Sequence, residues 1–242
     1  MSHRIGAVVV AIPAHDEEEL LGACLVSVAE AVDRVRSRVR VAAVCVALDR
    51  CTDGSAAIAR SLGARTVAVD AAAVGVARAA AVSHLLVGVG HVPLHRVWTA
   101  HTDADSVVPP QWLEHQLDLA EEGADVIVGT VRPRFSDLDD DQVRAWQATH
   151  VPGTANGHVH GANLGIRADV LRRGGGFPPL AVHEDVRLIE HVRAQGARVV
   201  ASAGAEVCTS GRLVGRAPDG YARYLREDLV RLADARDSDA VL

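Results

Sequence analysis

The chain has 242 residues, 49% of them apolar and 3% aromatic, with a formal net charge of −6. That length supports one large α/β domain or two small ones, and the negative charge argues against broad attraction to nucleic acid or an anionic membrane. Lysine is absent from the sequence, which excludes a P-loop, a Schiff-base enzyme and a protein kinase, each of which needs a lysine amine.

The elements alternate along the chain. A continuous apolar run over residues 6–12 predicts a parallel strand covered on both faces. Helical periodicity follows over 17–35 (Leu20, Leu21, Cys24, Leu25, Val28, Ala31), with acids expected in its first turn. A second strand is expected at 41–48, a helix at 53–62, a short strand at 66–69 and a helix at 74–86. Next come a strand at 96–102, a helix at 111–121 and a strand at 125–131. The acidic run Asp137 to Asp141 predicts a cap for a helix through Val143, Trp146 and Thr149, its carboxylates otherwise forming a solvated face. Residues 150–160 read as a loop, 162–166 as a strand, 174–176 as a turn and 183–195 as a helix. A final helix over 220–233 leaves a polar tail, 236–242, expected to fray.

Cys24, Cys45, Cys51 and Cys208 show no C-x-x-C spacing, so they are expected to be reduced and structural. No signal peptide or apolar run of about 18 residues is read. The expectation is a soluble, cytoplasmic protein, with room for peripheral attachment at the inner membrane face. The βαβαβ rhythm predicts a doubly wound, Rossmann-like and mostly parallel sheet with ligand at the carboxyl ends of its strands.

Those ends carry the polar residues. The first strand leads into Pro13-Ala14-His15-Asp16-Glu17-Glu18, and the second into Asp49-Arg50-Cys51-Thr52-Asp53-Gly54-Ser55. The fourth leads into His101-Thr102-Asp103-Ala104-Asp105. Carboxylates spaced i, i+2 at a strand exit share a side, where a hard divalent cation fits between them and a substrate phosphate. Asp53 reads equally as a helix N-cap or a ligand contact. Later segments add His160-Gly161-Ala162-Asn163, His183-Glu184-Asp185 and Thr209-Ser210-Gly211-Arg212.

In this order the segments resemble glycosyltransferase family 2 of the GT-A fold. The family's I-P-A-x-N-E-E is met by residues 12–18, with Asp16 for Asn; its D-x-S-x-D-G-T is met by 49–55, with Cys51 and Ser55 substituted. Its D-x-D is Asp103 to Asp105, and its E-D is Glu184-Asp185. The resemblance implies a single GT-A domain over 1–242, with a nucleotide-sugar half at 1–109 and an acceptor-binding, catalytic half at 110–235. It implies nucleotide-sugar contacts from Pro13, Ala14, His15, Glu17, Asp49, Arg78, Asp103, Ala104, Arg212 and Arg216. Asp49 would accept a hydrogen bond from the base, and Asp103 would face the ribose or the metal. Asp105 would coordinate Mg²⁺ or Mn²⁺, with His183 as an additional metal or acceptor contact. Asp185 is implied as the catalytic base of an inverting transfer, with Glu184 orienting the acceptor, and His160, Gly161 and Asn163 lining the acceptor side.

The implied partners are a nucleoside-diphosphate sugar and a small or lipid-linked acceptor, with homodimerisation through the C-terminal helix open. Three other functions fit this sequence less well. A haloacid-dehalogenase-like phosphatase needs its Asp-x-Asp after the first strand and a later lysine. A sugar-1-phosphate nucleotidyltransferase would open on a Gly-rich, Arg- and Lys-bearing loop. A non-catalytic nucleotide-sugar-binding protein would have lost Asp105 or Asp185.

Overall fold

The computed structural model describes residues 4–215 and 220–231. Seven strands form one sheet in the order β3-β2-β1-β4-β6-β5-β7. They are β1 Ala7–Ala14, β2 Val41–Asp49, β3 Arg65–Val69, β4 Val97–His101, β5 Val126–Pro133, β6 Leu164–Arg167 and β7 Val199–Thr209. Only β6 runs antiparallel, wedged between β4 and β5. The helices are α1 Leu21–Val35, α2 Ser55–Ser61, α3 Val74–Gly88, α4 Trp112–Glu121, α5 Asp140–Thr149, α6 Ala168–Arg173, α7 Glu184–Ala194 and α8 Tyr221–Arg223.

The alternation of side chains along β1 sorts the core into two layers. Val8, Val10 and Ile12 face α1 and α4, meeting Leu21, Cys24, Val28, Leu113 and Leu117. Ala7, Val9 and Ala11 face the other way, toward Ala77, Ala81 and Leu85 of α3 and Leu188 and Val192 of α7. The small residues on this second face let α3 settle close to the strands. Both faces are sealed, which is why the strands read as unbroken apolar runs.

The chain leaves β1 for β2 and β3 on one side and returns to place β4 on the other. The carboxyl ends of β1 and β4 therefore splay apart at a topological switch point, where open α/β sheets bind ligands. Beyond β4, Val107 donates its N–H to the Cys208 carbonyl at 2.7 Å, and Cys208 returns the bond to Val107 at 3.0 Å. This bridge fixes the end of β7, and with it Thr209 to Arg212, beside Asp105.

Several expectations are corrected. Helix α1 begins at Leu21, not at residue 17, and has no acid in its first turn, because Glu17 and Glu18 are engaged with the β2 loop. Helix α6 and strand β7 were not anticipated. Asp139, within the acidic run, caps α5 with a capping box to Gln142, while Asp137 accepts the Gly211 N–H at 3.0 Å; the run is anchored and not simply a solvated face. The C-terminal segment is described through Arg231: α8 passes into a π-helical turn, Tyr224–Asp228. Leu225 and Leu229 bury against Ala145 and Trp146, so its apolar face is covered within the chain. The tail 236–242 and Arg216 lie outside the described residues.

Candidate functional site

The loops after β1 and β2 are clasped together by their acids. Asp16 adopts a left-handed backbone, φ 51°, which a short polar side chain tolerates, and its Oδ1 accepts the Thr52 N–H at 2.7 Å. Glu18 accepts the Gly54 N–H at 2.6 Å, and its own N–H goes to Asp53 Oδ2 at 2.8 Å. Asp53 also accepts the Ser55 N–H at 3.0 Å, so it organises the start of α2.

Asp49 ends β2 with both carboxylate oxygens in use. Ala71 and Ala72 donate to Oδ1 at 2.9 and 3.1 Å, and Ala73 donates to Oδ2 at 3.0 Å. Burial alone would raise its pKa, but the three amides outweigh burial and hold it below the usual carboxylate range. His15 Nδ1 lies 2.6 Å from the Asp49 carbonyl; a carbonyl only accepts, so Nδ1 carries the proton.

Beyond β4 the charges concentrate. Arg78, on α3 and 2% exposed, ion-pairs with Asp103. Arg212 grips Glu17 with two bonds of 3.0 and 2.8 Å and reaches Asp105 Oδ2 at 2.9 Å. Burial, with Asp103 and Glu17 adding to it against Arg212, pushes the Asp105 carboxyl up to about 6. At the start of α7, Glu184 accepts from Arg78 Nε at 2.9 Å. Burial raises the pKa of Glu184 and of Asp185, with Arg78 opposing it in both.

These side chains share one cavity of about 1100 Å³. Its wall includes Pro13, Ala14, His15, Glu17 and Asp49 on the β1–β2 side, then Arg78 and Asp103 to Asp105, and Arg212. His160, Gly161, His183, Glu184 and Asp185 form the other side. Burial and the neighbouring His158 and His150 push the His160 imidazole down to about 4, so it is neutral at physiological pH.

Asn163 is not brought to this wall. It is 2% exposed; its Oδ1 accepts from the Trp112 indole at 2.9 Å, and its Nδ2 donates to Thr130 and Ala205 carbonyls at 2.8 Å each. It ties α4, β5 and β7 together and has nothing left for an acceptor. Tyr221 and Tyr224 line the cavity and were not anticipated; they are the chain's two tyrosines, and their spacing of three was the available signal. The Glu17–Arg212 pair, 195 residues apart, left no signal at all.

For a hard divalent cation, the oxygen donors Asp103 and Asp105 are the right chemistry. Around them Glu17, Glu184 and Asp185 add carboxylates to the wall, and burial, with Asp103 and Glu17 beside it, disfavours a second uncompensated charge on Asp105. An added cation supplies that compensation, so the residues fit the group. His183, an exposed residue in the left-handed region at φ 60°, does not join Asp103 and Asp105 as a preformed three-ligand set. Among the described residues the one such set is Asp16, Cys51 and Asp53, on the loop clasp. No helix among the described residues is long and apolar enough to cross a membrane.

A sheet with one antiparallel strand, helices on both faces and an acidic pair at its switch point defines a GT-A fold. The sequence matches the model of "Glycosyl transferase family 2" over residues 9–173, and the chain belongs to that family. Glu184, Asp185 and Arg212 lie beyond the matched range. No curated protein is significantly matched.

Among solved structures, S. aureus TarS residues 1–349 in complex with UDP-GlcNAc is 14% identical with a TM-score of 0.62, over 90% of this chain and 62% of that one. The mannosyltransferase PcManGT from Pyrobaculum calidifontis, in complex with GDP-Man and Mn²⁺, is 21% identical with a TM-score of 0.61, over 96% and 64%. Glucosyl-3-phosphoglycerate synthase from Mycobacterium tuberculosis, in complex with phosphoglyceric acid, is 17% identical with a TM-score of 0.53, over 85% and 71%. The chain spans 37% of a longer TarS structure and a little under two thirds of the other TarS and PcManGT chains.

Proposed function

We propose that the chain transfers a sugar from a nucleoside-diphosphate sugar to an acceptor hydroxyl, with Mg²⁺ or Mn²⁺ held by Asp103 and Asp105. One observation carries this reading: Asp103, Asp105, Glu184 and Asp185 converge on a single cavity at the sheet's switch point. Residues 1–109 supply the donor side, and residues 110–235 supply the acceptor side and the base. When bound, the cation neutralises charge that develops on the departing nucleoside diphosphate.

The chain's own residues do the rest. Asp185 takes the proton of the acceptor hydroxyl as that oxygen attacks the anomeric carbon. The new carbon–oxygen bond forms while the bond to the diphosphate breaks, and the electron pair leaves with the diphosphate. One-step attack inverts the anomeric centre. Burial raises the Asp185 pKa, which makes it a stronger base. His15 and Asp49 shape the base end of the donor site, and His160 presents a neutral imidazole to the acceptor. The neighbours solved with UDP-GlcNAc and with GDP-Man and Mn²⁺ support this donor class and leave its base open. A small acceptor and a lipid-linked one reached at the inner membrane face both suit the reading.

A thermal-shift comparison of UDP, GDP, ADP and CMP, with and without Mn²⁺, tests it. One nucleotide is expected to stabilise the protein in a metal-dependent way, and Asp105→Ala to abolish the shift. If no nucleotide shifts the melting point at millimolar concentration, the reading fails. With the donor identified, Asp185→Asn should lower kcat at least roughly 100-fold and leave nucleotide stabilisation intact; unchanged turnover would remove Asp185 as the base.

A further inference from the structure

Arg78 comes from the second turn of α3, yet it spends its guanidinium on three separate parts of the cavity wall. Nη2 pairs with Asp103, after β4. Nε donates to Glu184 at the start of α7, at 2.9 Å. Nη1 donates to the Gly161 carbonyl, in the segment leading into β6, at 3.1 Å. The side chain is 2% exposed and Glu184 4% exposed, so water cannot replace either partner cheaply.

Two glycines make the arrangement possible. A Cβ on Gly161 would stand 2.2 Å from Arg78 Nη2, and one on Gly75 would stand 2.0 Å from the Pro178 carbonyl and 3.1 Å from Glu184 Cβ. The first lets the cavity wall lie directly on the guanidinium. The second lets the first turn of α3 press against the segment that leads into α7; Gly75 also donates its N–H to the Leu180 carbonyl at 3.0 Å. Helix α3 therefore touches both halves of the site at one place.

We infer that Arg78 is a positioning residue, a buried strut that sets the Asp103 carboxylate and the Glu184–Asp185 helix start in fixed relation, and not a contact to the donor. This inference rests on the transferase reading above. Each guanidinium nitrogen already donates to a protein acceptor, and the group is buried, which leaves Arg78 poorly placed to grip a diphosphate. A planar, five-donor fork can serve three acceptors in three directions; the point charge of lysine cannot. Through the strut, the place where the donor's cation is held and the place where the acceptor hydroxyl loses its proton are set by one side chain. A small error in that spacing is expensive, because a displacement of about 1 Å between reacting groups costs roughly 100-fold in rate.

The experiment compares Arg78→Lys, Glu184→Gln and the double variant on the full chain. Turnover is read as nucleoside diphosphate released from the donor in the presence of acceptor. Binding is read as the Mn²⁺-dependent thermal shift given by the matching nucleoside diphosphate. Each single variant is expected to lose roughly 100-fold in kcat with donor KM within about threefold, and the double variant to be no worse than the poorer single, as for residues that act as a unit. The thermal shift should survive in all three. Gly161→Ala, which pushes on the guanidinium without removing a charge, should reproduce the kcat loss and carries the test if Arg78→Lys does not fold. A raised donor KM and a lost thermal shift at unchanged kcat would make Arg78 a donor contact and overturn the inference, as would multiplicative effects in the double variant. A wild-type protein that no nucleoside diphosphate stabilises overturns the transferase reading, and this inference with it.

Discussion

His160 shows how a site group can be tuned by its surroundings alone. Its ring sits edge-on to Tyr221 at 6.0 Å and to His158 at 6.3 Å between centroids, and its pKa falls to about 4. In the unfolded chain the same group titrates near 6.5. Between those values the unfolded state binds the extra proton, so stability falls as pH drops from about 6.5 to about 4. His160→Gln is expected to remove that part of the acid sensitivity. Urea titrations of the two proteins at pH 7 and pH 5 check this: the gap between wild type and variant should shift in the variant's favour at pH 5. An unchanged gap would mean that His160 keeps an ordinary pKa.

At the scale of elements, Asn163 is the clearest case of a polar residue used for architecture. Its three hydrogen bonds join α4, β5 and β7 in a buried interior. Asn163→Ala leaves the Trp112 indole and two carbonyls unpaired, at a cost of about 1–3 kcal/mol for each buried group left unsatisfied. Denaturant unfolding should report a loss of several kcal/mol, with nucleotide binding preserved in whatever fraction stays folded. A loss below about 0.5 kcal/mol, the scale of surface substitutions, would contradict the packing described.

The same residue marks the boundary of what the sequence discloses. Strands β1 and β4 are legible because both faces are buried, so composition alone betrays them. Strand β7 is not: over Val199–Thr209 it runs through Ala, Ser and Gly, is largely half-buried, and carries a register shift opposite Gly129 to Val131. Helix α6, at six residues, is too short for periodicity to show. The site was legible where its residues sit on strand ends in recognisable order. Asn163 carries a polar side chain beside site residues, and nothing local distinguishes a structural amide from a binding one. The bonds from Arg78 to Asp103 and Glu184 span 25 and 106 positions, and only folding brings them together.

At the scale of the whole molecule, a small third core supports one edge of the cavity. Ala145, Trp146, Leu225 and Leu229 bury together, and Trp146 stacks on His150 at 4.3 Å. This cluster anchors the segment that carries Tyr221 and Tyr224. Because it is separate from the two layers around the sheet, Trp146→Ala should weaken it locally, costing about 3–5 kcal/mol where the loss is felt. Limited proteolysis is expected to cut the C-terminal segment of the variant first and to leave the sheet domain intact. Simultaneous loss of both would show that the segment is not a separate cooperative unit.

The bidentate grip of Arg212 on Glu17 has a consequence in time. The two partners lie 195 residues apart, so during synthesis the glutamate emerges long before its arginine. At roughly 5–20 residues per second, that interval is about 10–40 s. For that period the β1–β2 region holds an acid that the finished molecule buries without the cation that balances it. The β1–β2 end of the cavity can therefore be nearly built while its charge is still unmet, and the arginine that balances it arrives long after the loop it completes.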